Sequence, residues 1–469
     1  MRIESFECDV RGAYMAVAGG AEVPFEAAFE RARFAGGAEV TAVSYVATGG
    51  AARRGRPVAF VTNGGPGSSV CWLHLGFFGP WRVKIEDELR PPAQPPYALE
   101  ANPHCLLDLC DLVMVDPAGC GFSAAPDEAT APEFHSVDGD AHAVALFIER
   151  WIDFHARPDA PVFFVGESYG TVRAAALADA LTGGPFAPSA RAVCIPLAGI
   201  AFLGTAFSTA GSMTEKPPVE EGALALSACA ATCAYHRPGR LGTPAEAYGA
   251  AWDFAPAYLG ALFRGRAMPE AERRAVAERL AVFTCLPADA LLARGLRFTV
   301  DEVRGAVVPG SCAGAYDGRY LMEGPGNPGS FPFPGMVDPV AEDPAMGAYT
   351  PCFVGAMREL SVKLGLPAGT YRAIDFEVNS RWDYSQRRGS LASLENALRR
   401  NRETRLLFAS GIYDLVCVPG QVRYLVQNST LPPERVRVAE YESGHMPYLG
   451  ETGATALERD LRWLLGGAA

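Results

Sequence analysis

The sequence predicts an α/β fold in which a mostly parallel central sheet is flanked by helices and a largely helical cap is inserted late in the strand series. Three observations carry this expectation. Short apolar runs of strand length end, one after another, in glycine-rich turns, as in Arg56–Thr62, Asp111–Asp116 and Pro161–Val165. Between the last two lies a stretch of helical period, and strand, helix, strand in that order makes a right-handed crossover joining parallel neighbours. The strand series then stops near Phe202, gives way to a region of different composition, and resumes near Thr404. Residues 1–202 and 350–469 are therefore assigned to the core and 203–349 to the cap.

Taken in order, residues 1–46 show alternating apolar and polar positions between glycine turns, as in Glu39–Val46, and read as antiparallel edge strands. Arg56–Thr62 is a central strand running into Asn63-Gly-Gly-Pro-Gly-Ser-Ser69. Asp111–Asp116 is a second, after the proline-rich loop 91–96. Ala141, Val144, Ala145, Phe147, Ile148, Trp151 and Ile152 fall on one face of a helix. Pro161–Val165 leads into Gly166-Glu-Ser-Tyr-Gly170 and a helix-prone run, and Arg191–Leu197 is expected as one further strand. Alanine-rich helices follow over 221–293, then a glycine- and proline-rich stretch over 309–339 and a helix through Met357–Leu364. The core pattern resumes with strands at Thr404–Ser410 and Arg435–Tyr441 and closes with an amphipathic helix over Ala454–Leu465.

Composition sets outer limits on function. A chain of 469 residues with formal net charge −12 is a poor partner for nucleic acid or an anionic membrane, because binding phosphate needs an excess of Lys and Arg. The N-terminus lacks a basic start followed by an apolar stretch, and the apolar run near 192–203 is too short for a bilayer, so a soluble, cytoplasmic protein is expected. Twelve scattered cysteines read as buried thiols. Cys229, Cys233 and His236 have no second cluster to complete a metal site, so no metal and no cofactor is expected.

The chemistry concentrates at strand ends. Gly166-x-Ser168-x-Gly170, between a strand and a helix, is the pattern in which a serine is held at a strained turn with its hydroxyl projecting above the sheet edge. Asp414 follows the strand at 404–410 and His445 the strand at 435–441. The order Ser168, Asp414, His445 is that of an α/β hydrolase, with nucleophile, orienting acid and general base. The cap accounts for the wide gap between the first two. Six other histidines lie before the acid strand or in the cap, and Asp383 is the competing acid. Backbone N–H groups of Tyr169 and of the glycine turn, at Gly65, are positioned to receive a developing oxyanion.

At these residues the chain resembles the serine carboxypeptidases. The likeness rests on Asn63-Gly-Gly-Pro-Gly-Ser-Ser69, Asp116-Pro-Ala-Gly-Cys-Gly-Phe-Ser123, Gly166-Glu-Ser-Tyr-Gly170, Tyr413-Asp414 and Gly444-His-Met446. It looks closest to the bacterial branch through Trp72–Gly76, Gly170-Thr-Val-Arg173 and Tyr413-Asp-Leu415. The resemblance implies an α/β-hydrolase core and removal of C-terminal residues from peptides with a free C-terminus. It also implies that Asn63 and Glu167 hydrogen-bond the substrate's terminal carboxylate. A glutamate facing a carboxylate repels it unless one of the two holds a proton, so Glu167 is expected to work with a raised pKa. Three positions depart from the family pattern: Val61 stands for a tryptophan, Ser68 for a cysteine and Phe77 for a second glutamate. An esterase or acyltransferase acting on a small molecule with the same triad, and a binding protein without turnover, are the alternatives. The sequence sets no oligomeric state.

Overall fold

Consecutive apolar residues in the central strands face opposite sides of one sheet, and both sides are covered. The computed structural model describes residues 1–49, 55–183, 194–207, 221–324, 342–385 and 388–466. Nine strands form the sheet: β1 Ile3–Ala18, β2 Ala21–Phe34, β3 Glu39–Ala47, β4 Val58–Thr62, β5 Asp111–Asp116, β6 Val162–Glu167, β7 Leu197–Leu203, β8 Arg405–Gly411 and β9 Val436–Tyr441. Their spatial order is β1-β2-β3-β5-β4-β6-β7-β8-β9. The first three strands run antiparallel and β3 meets β5 antiparallel, whereas every pairing beyond β5 is parallel.

Helices cover the sheet because the strand faces are apolar throughout. On one side, Phe60, Val113, Phe164, Ile200 and Phe408 pack with helices α1 Val137–Phe154 and α2 Tyr169–Thr182. Ser136 caps α1 by accepting from the Gly139 N–H. On the other side, Val61, Met114, Phe163, Val165, Leu203 and Leu407 pack with the loop residues around Trp72 and with two later helices, Pro344–Leu364 and Glu451–Leu464. This alternation, with Phe163 on one face and Phe164 on the other, is the two-sided burial expected of parallel strands.

The cap has its own core. Helices α3 Glu221–His236, α4 Pro244–Arg264 and α5 Glu270–Thr284 bury alanine, leucine and the Cys229 and Cys233 thiols, which are free and sit on α3 as small apolar side chains. His236 contacts the Gly318 carbonyl oxygen at 2.7 Å. Among the described residues, no helix is long and apolar enough to cross a membrane.

Two expectations need correction. The strand expected at Arg191–Leu197 lies at Leu197–Leu203: residues 194–196 are not in a strand, and 184–193 lie outside the described residues. Gly199 interrupts the apolar run and masked it, yet a Cβ there would sit 2.9 Å from the Phe163 ring, so the glycine is what lets β7 pack beside β6. In the stretch 309–339, expected to be irregular, Ser311–Ala313 and Leu321–Glu323 form a short antiparallel pair, and 325–341 lie outside the described residues. The helix Pro344–Leu364 also runs across the 349/350 boundary, because its buried side belongs to the core under the sheet.

Candidate active site

Parallel pairing puts the strand ends that carry chemistry at one edge of the sheet. Thr62 pairs with Gly166 and Glu167 with Leu203, so the turns after β4, β6 and β7 lie side by side. Gly411 pairs with Tyr441, which brings the turns after β8 and β9 together as well.

At the turn after β6, Ser168 has φ 56° and ψ −127°, a conformation that costs a non-glycine residue about 1–3 kcal/mol and persists only where surroundings enforce it. The surroundings are visible. The Ser168 N–H donates to the Leu203 carbonyl at 2.9 Å, and the Ser168 carbonyl accepts from the Thr171 hydroxyl at 2.6 Å and the Thr171 N–H at 2.9 Å. Gly166 and Gly170 are required by contact: a Cβ on Gly166 would run into the Gly170 carbonyl, and one on Gly170 would lie 2.9 Å from the Asn63 carbonyl oxygen. On Gly64 it would fall 2.5 Å from the Tyr169 backbone nitrogen. The glycine turn is thus pressed against the start of α2. Gly65, at φ 98°, adopts the left-handed conformation open to glycine. Among the described residues, no protein acceptor takes its N–H.

Asp414 and His445 meet. The Asp414 Oδ2 lies 2.8 Å from His445 Nδ1, while its Oδ1 accepts from the N–H groups of Val416 at 2.9 Å and Cys417 at 2.8 Å. The carboxylate is fully buried and has a fixed direction. Burial pulls the His445 imidazole down, but the Asp414 carboxylate, with Cys417 beside it, outweighs that and raises the pKa well above the ordinary 6.5. The His445 Nε2 has no hydrogen-bond partner among the described residues, and His445 lines the same cleft as Ser168. Nε2 therefore makes no hydrogen bond to Ser168 in the substrate-free protein, where catalytic hydrogen bonds are often long and tighten only when substrate arrives. Gly204 makes room for the ring, since a Cβ there would lie 3.0 Å from it.

Asn63 and Glu167 sit beside this group. The Asn63 Nδ2 donates to Glu167 Oε1 at 2.7 Å, and both residues are buried. Burial pushes the Glu167 carboxyl above its usual range, against the lowering pull of His445, of the neighbouring Tyr448 hydroxyl and of the Asn63 hydrogen bond. The cleft is lined by Asn63, Gly65, Glu167, Ser168 and His445 together with walls from Trp72, Tyr316, Ile374 and Phe376. Asp383, the competing acid, spends its carboxylate on Ser385, whose N–H and hydroxyl donate to it at 2.9 and 2.8 Å. Several rival histidines are also engaged elsewhere: His74 with Tyr45, His104 with Glu451 and Glu458, and His155 with Glu30.

Sequence reasoning gave no role to three contributors. Arg173, buried on α2, donates through Nε to Asp140 at 2.7 Å and through Nη1 to the Asn63 carbonyl at 2.5 Å and Thr62 Oγ1 at 3.2 Å. It ties the glycine turn to the helix after the serine. A lone cation in an alanine-rich helix was the available signal. Tyr316, from the cap, accepts the His445 N–H on its carbonyl at 2.6 Å and sets its ring edge-on to the imidazole at 4.8 Å. Trp72 was quoted only within a motif; its indole N–H donates to Ser68 Oγ at 3.0 Å, so the residue at the departing position 68 holds a wall of the cleft.

Comparison with known proteins agrees with this architecture. The serine carboxypeptidase family profile matches residues 47–201. Among solved structures, the prohormone-processing carboxypeptidase Kex1Δp from Saccharomyces cerevisiae superposes with a TM-score of 0.56 at 14% identity, covering 92% of this chain and 87% of that one. Proline iminopeptidase from Mycobacterium smegmatis gives 0.36 at 13% identity over 97% and 98% of the two chains. The peroxisomal α/β-hydrolase Lpx1 from S. cerevisiae gives 0.35 at 11% identity over 99% and 91%. No curated protein matches by sequence. The segment holding Asn63 and Ser168 is thus similar to the serine carboxypeptidases, and the likeness to Kex1Δp shows the α/β-hydrolase fold, which together support a serine hydrolase.

Proposed function

We propose that the protein is a serine carboxypeptidase that removes C-terminal residues from peptides through an acyl-enzyme on Ser168. His445 takes the Ser168 proton as the hydroxyl oxygen attacks the last peptide carbonyl, and Asp414 holds the imidazolium that results. The N–H groups of Gly65 and Tyr169 receive the negative oxygen of the tetrahedral intermediate. His445 returns its proton to the leaving amine, the C–N bond breaks, and water then releases the acyl group by the same steps in reverse.

The observation that carries the peptide reading is the buried Asn63–Glu167 pair beside the serine, joined at 2.7 Å. Asn63 offers a donor, and Glu167, whose carboxyl burial pushes above its usual range, offers a second when it holds its proton, which suits the two acceptor oxygens of a terminal carboxylate. A peptide library carrying free or amidated C-termini, incubated with native protein and with Ser168→Ala and read by mass spectrometry, tests this. Loss of single C-terminal residues from the free series alone, absent in the variant, is expected. Equal cleavage of both series, or hydrolysis of simple esters with neither series touched, would refute it.

A further inference from the structure

Three residues beyond His445, Tyr448 is buried at 2% exposure with its ring against Phe77, centroids 6.4 Å apart. Gly76 leaves the space for that ring, since a Cβ there would run into it. The Tyr448 hydroxyl has no hydrogen-bond partner among the described residues, and neither has Glu167 Oε2. Both atoms are buried, and the two groups are close enough for each to shift the other's ionisation. Two complementary polar groups left without partners while buried are unusual, because buried polar atoms are nearly always paired.

We propose that Tyr448 is a positioning residue of the carboxylate subsite, its hydroxyl donating to Glu167 Oε2 and so fixing the plane of the carboxyl that meets the substrate's end. Asn63 already holds Oε1, so a donor on Oε2 pins the second oxygen of a residue that lines the cleft. The groups around Glu167 are His445 and Asp414, which carry charge, and the Cys71, Cys417 and Tyr316 side chains. Among the neutral groups, Tyr448 and Asn63 are the ones that pull its carboxyl down. A donor on a carboxylate favours the ionised form. Tyr448 therefore keeps Glu167 from rising as far as burial alone would take it, and sets the pH at which the subsite loses its proton.

This inference rests on the carboxypeptidase reading for its kinetic consequence but not for its titration. In substrate-free protein, the infrared carboxyl band that disappears in Glu167→Gln reports Glu167 directly. With Tyr448→Phe, which keeps the ring and its packing, that band should titrate about one pH unit higher. An unchanged titration overturns the proposal. In the kinetic arm, Tyr448→Phe should lower the kcat/KM ratio of free over amidated peptides about tenfold, through KM, and move the alkaline limb of the free-peptide profile upward. The same substitution in a Glu167→Gln background should no longer change that ratio. A fall in the ratio that persists without Glu167 assigns Tyr448 a packing role and overturns the proposal. A native enzyme that ignores the free carboxylate refutes the carboxypeptidase reading instead, with the infrared result still deciding the Tyr448–Glu167 contact.

Discussion

The cleft has two sides built by different means. On the sheet side, position is set by backbone against backbone: Gly64 on Tyr169, Gly166 on Gly170, Gly170 on Asn63, and Gly411 against the carbonyls of Ser443 and Gly444. On the other side, side chains form the walls: Tyr316 of the cap sets its ring over His445, and Ile374 and Phe376 of the later core segment line the cleft. Main-chain contacts of this kind have no rotamer freedom, so they fix reacting groups to within tenths of an ångström, whereas side-chain walls can be exchanged at modest cost. Under the proposed mechanism, this difference assigns reaction chemistry to the first side and substrate choice to the second.

The strongest way to break this division is at the serine. Ser168→Ala should lower kcat by about 10⁵ or more with the folded state retained, measured by turnover beside a denaturant titration. Arg173→Met comes next, because it leaves Asp140 buried without its cation and frees the Asn63 turn. A loss of about 3–5 kcal/mol in stability is expected, read from urea unfolding, together with a lower kcat on esters and peptides alike. An effect on peptides alone would place Arg173 on the substrate-choice side.

Gly166→Ala should cost about 2–3 kcal/mol, since the added methyl has only the Gly170 backbone to displace, and should lower kcat for every substrate. The pH dependence sharpens the same distinction. His445 must be neutral to accept the serine proton, so kcat/KM for an ester should rise with pH through its raised pKa. Glu167 must hold a proton to meet a carboxylate, so kcat/KM for a free peptide should fall about tenfold per pH unit above its own raised pKa. A free peptide is then expected to give a bell bounded by these two groups, and an ester a single rising limb. The smallest effect belongs to the wall. Phe376→Ala, at a side chain 42% exposed, should leave stability within about 0.5 kcal/mol and change the relative kcat/KM of bulky and small substrates up to about tenfold.

The sheet, and the placing of the proposed reacting groups at its strand ends, were legible in the sequence because their signals are local. An apolar run ending in glycines around Ser168 announces a strand and a strained turn, and acid and base each follow a strand of their own, so the order of Ser168, Asp414 and His445 could be read along the chain. The antiparallel edge over the first three strands was legible for the same reason, through alternation. Where a local signal was interrupted, as by Gly199, the strand was misplaced.

What only the tertiary structure decided are the contacts between residues far apart in sequence. Nothing near Arg173 reveals that it grips the Asn63 carbonyl 110 positions earlier, and nothing near Tyr448 reveals that Glu167 lies against it. Tyr316 comes to His445 from the cap, where periodicity is weak and side-chain identity says little about which wall it forms. Residue type and spacing determine which groups are available for chemistry, because strand, turn and helix follow from neighbouring residues. Packing determines which of those groups are buried, paired or left without a partner, and it is that choice which sets the protonation of Glu167 and His445.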